Sequence, residues 1–131
     1  MGSRGTDPHV LDREENRPYK TVGYIKDAEI LEGKNRKYHA LPEVSHTPNA
    51  IYVKLNDDGT FRELRVFQDS RLMLEIGYHR EPLGNGKPVL HAHDIRGQEY
   101  ENHPAARHLT REEWNRYRDY FVGLDLERIE K

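Results

Sequence analysis

The chain has 131 residues, a length suited to one domain that buries roughly two-thirds of the surface its unfolded form exposes. It contains no cysteine, which excludes a disulfide framework and any thiolate metal site, so a bound metal must be held by nitrogen or oxygen. The charged fraction of 34% equals the hydrophobic fraction, and a formal net charge of -2 supplies no basic surplus for binding nucleic acid by bulk charge.

In chain order, residues 1–18 are polar, with Val10 and Leu11 as their neighbouring apolar pair, and read as a flexible N-terminal arm. Residues 19–131 then form a single α+β domain. The N-terminus has no apolar h-region and no apolar run approaches the length of a membrane span, so the chain reads as cytoplasmic with no membrane partner. Tyr19, Val22, Tyr24, Ile25, Ile30 and Leu31 allow either a short strand or a single helical turn in 19–33. A charged loop, Gly33 to Lys37, follows, and Pro42 and Pro48 punctuate the approach to the first clear element.

From Ala50 the period becomes two. Ile51, Val53 and Leu55 alternate with Tyr52 and Lys54, the pattern of a half-buried strand. Asn56-Asp57-Asp58-Gly59 is a hairpin turn, because these residues tolerate positive φ. Thr60 to Phe67 returns as a second strand, and Leu72 to His79 forms a third with Leu72, Leu74 and Ile76 on one face. After the Pro/Gly/Asn loop 81–87, Pro88 opens a fourth strand through Ile95. Four short strands in sequence predict an antiparallel four-stranded meander. Residues 96–109 read as irregular. Thr110-Arg111-Glu112-Glu113 is a capping box, and Trp114, Tyr117 and Phe121 make one apolar stripe of a C-terminal helix packed on one face of the sheet, with Gly123 at its stop.

The chemistry-bearing feature is a set of histidines. Alternation places His79 opposite to the Leu74–Ile76 face, and His91 and His93 opposite to Leu90 and Ala92. An even register between the third and fourth strands puts the three imidazoles on one surface, whereas a one-residue slip would bury them and expose the leucines. Cross-strand Cβ atoms lie roughly 4.5–5.5 Å apart, so His79, His91 and His93 can reach one ion. Zinc is the expected metal, with the fourth ligand from His103 and with Glu75 and His108 as alternatives or supporting partners. Imidazole also suits nickel, copper and iron. Two bland readings stand beside this one: a solvent-facing strand also carries histidine simply as a polar residue, and Arg111, Arg116 and Arg118 read as a solvated helix face.

The same cluster admits a metal-free alternative, an endoribonuclease. Two histidines near neutral pKa would move protons to and from the 2′-hydroxyl, and Arg65, Arg71, Arg80 or Lys87 would stabilise the phosphate. No P-loop, G-x-G-x-x-G or nucleophile motif is present.

The opening Met1-Gly2-Ser3-Arg4-Gly5 resembles the start of small proteins encoded by Firmicutes phages and prophages. The later order is also similar: an N-x-x-G turn, a strand ending at Tyr78-His79, a Pro/Gly/Asn loop, an H-x-H strand, then Leu109-Thr110-x-x-Glu113 opening a helix. The resemblance spans about residues 50–121 and the first five. It implies a mobile-element gene product, either an inhibitor of host defence of the anti-CRISPR type, binding a Cas nuclease effector, or a toxin-like nuclease of the barnase, EndoU or RelE kind. No Lys-Ser-Thr type motif of such nucleases is found here. The expectation is therefore a zinc-stabilised binding protein that inhibits a host protein. Asp57, Asp58, Glu63, Glu75 and Glu81 would then meet a basic channel on the partner. A phage structural accessory is the third reading, and an exposed sheet edge allows a dimer.

Overall fold

A computed structural model describes residues 19–33, 49–97 and 104–127. The expected arm, 1–18, lies outside them. Six strands are described: β1 (Tyr19–Ile25), β2 (Ala28–Gly33), β3 (Ala50–Leu55), β4 (Phe61–Gln68), β5 (Arg71–Arg80) and β6 (Pro88–Asp94). A short helix, α1 (Arg111–Tyr117), and a 3-10 turn (Arg118–Tyr120) follow. The class is α+β, mostly sheet. No helix among the described residues is long and apolar enough to cross a membrane.

The strands lie in sequence order in one sheet. β3 to β6 are the antiparallel meander that the alternation predicted. The expectation of four strands and a wholly antiparallel sheet is corrected. β1 and β2 form a further antiparallel hairpin, and β2 runs parallel to β3 through Glu29↔Tyr52 and Ile30↔Val53. The hairpin escapes a period-two reading because β1 is an edge. Val22 and Tyr24 are 51% and 65% exposed, and the register slips at Val22 between Thr21 and Gly23. A bulged edge strand has no buried face to impose alternation. Parallel neighbours need a connection of about a dozen residues or more, which the stretch between Gly33 and Ala50 supplies.

Both faces of the sheet carry buried side chains. One carries Val53, Leu64, Val66, Ile76, Leu90 and Ala92 against Leu109, Tyr117, Tyr120 and Phe121. Helix α1 begins with the predicted capping box: the Glu113 amide donates to Thr110 Oγ1 at 3.1 Å, and the Thr110 amide donates to Glu113 Oε1 at 3.0 Å. It ends at Tyr117, earlier than the glycine stop suggested. The 3-10 turn carries the chain on so that Phe121 packs on Phe61, with ring centroids 4.9 Å apart, and the Phe61 amide donates to Val122 O.

The other face holds a smaller cluster of Leu31, Tyr52, Phe67, Leu72 and Ile95. Leu72 was expected beside Leu74 and Ile76. A bulge moves it: Val66 faces Leu74 while Phe67 faces Leu72, so Met73 is the extra residue and reverses the facing of what precedes it. The Met73 carbonyl accepts from the amides of both Ile95 and Arg96, which fixes the end of β6 against the bulge.

Candidate metal centre

The second face also carries a polar surface built by the register. Glu75 lies opposite His93, Gly77 opposite His91 and His79 opposite Val89. On the other side of β5, Arg65 lies opposite Glu75 and Glu63 opposite Gly77. Directly opposed residues of an antiparallel pair share a face. The even register that brings His79, His91 and His93 to one surface is therefore the one that forms. Their rings stack edge to face, at 4.4 Å between His79 and His91 and 5.2 Å between His91 and His93.

His91 is the fixed member, with 1% of its surface exposed. Its Nδ1–H donates to Val89 O at 2.9 Å, since a carbonyl only accepts. Burial, outweighing the Val89 bond that opposes it, lowers its pKa, and the neighbouring His79 lowers it further. With Nδ1–H held on Val89 O, Nε2 is the ring nitrogen left to offer a lone pair. A histidine that anchors one ring nitrogen on a backbone carbonyl and presents the other is the arrangement typical of metal ligands.

His79 stands at the end of β5 with its side chain 47% exposed, and Glu81 follows two residues later with its carboxylate 3.6 Å from His79 Nδ1. Glu81 is extended, at φ -142° and ψ 154°, and caps the 3-10 turn Pro82–Gly84. It thus continues the alternation of β5 past the last strand residue. Ligand atoms of His79, Glu81 and His91 all lie within 4.8 Å of one another. Zinc bonds of roughly 2.0–2.2 Å place donors of one tetrahedral ion about 3.3–3.6 Å apart. The remaining closure falls on the exposed His79 and the loop-borne Glu81, while His91 stays rooted. Two imidazole nitrogens and one carboxylate are the donor set of a three-ligand site that keeps a position for water.

The expected set of His79, His91, His93 and His103 is thus only partly assembled. His79 and His91 converge. His93 stands beside His91, but its Nδ1 bonds Pro104 O at 2.7 Å and it is not one of the three converging donors. His103 lies outside the described residues. Glu75 holds Arg65 instead, with Nε and Nη2 both 2.8 Å from Oε2, in a buried ion pair. His108 is exposed. Glu81, the third converging donor, was placed by the sequence reading in a loop and among the acidic partner residues, and its signal as a donor was the i, i+2 spacing from His79. The proposed acidic partner surface is not continuous either. Asp57 and Asp58 are exposed in the β3–β4 turn, Glu75 is buried, and Glu63 and Glu81 are half-buried.

Glu63 completes the surroundings. Burial pushes its carboxyl up, with Arg65 pulling it back and Glu75 adding to the rise.

Comparison with protein-family models, with curated proteins and with solved structures returned no match, so the chemistry assigned to this centre rests on the residues and distances of the chain itself.

Proposed function

We propose that this is a zinc-binding protein in which His79, Glu81 and His91 hold the ion, and that it acts by binding another protein rather than by catalysis. The observation that carries the metal reading is the convergence of those three donors within 4.8 Å around a His91 whose Nδ1–H is anchored on Val89 O. The ion would tie the end of β5 and the 81–87 loop to β6. Because metal binds the folded arrangement only, its binding free energy adds to folding free energy. Ordering that loop prepares a surface for a partner. On the resemblance to phage-encoded proteins, the partner we propose is a host-defence protein such as a Cas nuclease.

Catalysis by the histidines has less support. An acid–base pair needs both groups at the substrate, and His91 is buried, with its ring packed 4.4 Å from that of His79. Arg65, the buried cation on the same face, is engaged by Glu75.

The test is metal analysis and zinc titration of protein prepared without a histidine tag. About one zinc per chain is expected in the wild type and none in His91→Ala, with a higher Tm for the zinc-loaded wild type than for the stripped one. Wild-type protein that takes up no zinc, or His91→Ala that binds it as tightly, overturns the reading.

A further inference from the structure

The carboxyl of Glu63 has no hydrogen bond and no ion pair among the described residues. Its cross-strand neighbour on β3 is Lys54, on the same face, yet the two form no ion pair. On the other side its neighbour is Gly77, and beyond Gly77 lies His91. Glu63, Gly77 and His91 thus form one row across β4, β5 and β6. Strands lie about 4.8 Å apart, so the outer two backbones are roughly 10 Å apart. Two side chains can bridge that span only over a residue that has none. Gly77 is that residue, and the space above it holds the His79 ring, whose Nε2 lies 3.0 Å from where a Cβ would be. The ring of His91 reaches the same place from the other side, with Cε1 at 3.3 Å.

Glu63 is half-buried, and a carboxyl partly withdrawn from water with no protein partner calls for an explanation such as a water or an ion. A carboxylate withdrawn from water costs stability unless a charge compensates it. Arg65, two residues along β4, is committed to Glu75. What remains on this side is the centre itself. His79, Glu81 and His91 contribute one negative charge between them, and a dication bound there retains one positive charge. A second carboxylate at the same place makes the site neutral.

We infer that Glu63 is the charge-balancing carboxylate of the metal centre, facing the bound dication across Gly77 and accepting a hydrogen bond from its coordinated water. It is a positioning residue and not a fourth ligand, because the converging donors are those of His79, Glu81 and His91. This inference rests on the metal reading above and adds a sign that reading does not contain. Glu63 disfavours the metal-free fold and favours the loaded one.

The experiment measures zinc affinity by competition with a chromophoric chelator, and the Tm of the stripped protein, for wild type, Glu63→Gln and Glu63→Asp. Glu63→Gln is expected to weaken zinc binding by about ten- to a hundred-fold, the usual effect of removing an outer partner, while raising the Tm of the stripped protein. Glu63→Asp keeps the charge and is expected to stay within about ten-fold of wild type. Equal zinc affinity in wild type and Glu63→Gln overturns the inference and leaves the three-ligand site standing. A Glu63→Gln variant that does not fold, or that loses both affinity and Tm, shows a structural carboxylate and overturns it as well. A Glu63→Asp variant as weak as Glu63→Gln rules out a role through charge. No zinc on the wild type removes the proposed function and this inference together.

Discussion

At the scale of single residues the centre depends on an absence, the missing side chain of Gly77. Its φ is not positive, so the glycine is required by space and not by backbone conformation. A methyl group there would press on His79 Nε2 and Cδ2, at 3.0 and 3.2 Å. His79 is exposed enough to yield but buried His91, whose Cε1 lies at 3.3 Å, is less so, and Gly77→Ala is expected to fold with a modestly lower Tm while zinc affinity drops about ten-fold or more. Calorimetric titration of the variant checks this, and unchanged affinity would mean that His79 binds no metal in this position. The pairing of His79 with His91 was legible in the sequence, because leucines on the alternate positions leave only one register that keeps them buried. The role of Glu75 was not. Arg65 sits opposite it on a neighbouring strand, and sequence alone does not say which of two acceptable neighbours a carboxylate will choose. Glu81 was hidden by Pro82, which marks a strand end in sequence although the backbone stays extended for one residue more.

At the scale of elements, Arg107 joins three parts of the chain. Its Nε and Nη2 donate to Asp94 at the end of β6, at 2.6 and 2.8 Å. Its Nη1 and Nη2 also donate to both oxygens of Glu113 in the capping box of α1, each at 2.8 Å. The backbone of Arg107 pairs with Ala92 and covers part of the β6 edge. Hydrogen bonds from Arg107 hold the carboxyls of Asp94 and Glu113 below their ordinary values. A depressed carboxylate pKa stabilises the fold above the unfolded value, near 4, and that contribution is lost as pH falls through the folded value. Arg107→Gln is therefore expected to cost about 1–2 kcal/mol at neutral pH. The difference from wild type should shrink on titration toward pH 3, and urea unfolding at both pH values measures it. Thr110→Ala, which removes the cap, is expected to cost about 1 kcal/mol at either pH. The cap and the stripe of α1 were legible as local patterns. The Met73 bulge was not, since no residue type announces an inserted position and only the pairing with β4 reveals it.

At the scale of the whole molecule, the meander and the placement of a helix on one face followed from periodicity. The two further strands, β1 and β2, did not, because β1 is an exposed, bulged edge that obeys no strict alternation and β2 is a short strand paired with it. Their attachment has a consequence of its own. The hairpin meets the rest of the sheet through the two register pairs of the parallel seam, Glu29↔Tyr52 and Ile30↔Val53. Beyond that seam, its Lys26–Asp27 turn is held by a Lys26–Asp119 ion pair and by the Tyr120 hydroxyl, which donates to Asp27 Oδ1 at 2.7 Å. β3 to β6 follow one another through short connections, whereas β2 and β3 pair across a longer separation along the chain, and closing that separation carries an entropic cost that a short turn avoids. The hairpin should thus be the last piece to assemble and a separate unit of local opening. Its amides should exchange with deuterium at a lower opening free energy than those of β4 and β5, and Tyr120→Phe should widen the gap by quickening β1 and β2 alone. The candidate metal centre, at the opposite edge of the sheet, would then be insulated from the part of the molecule that breathes most.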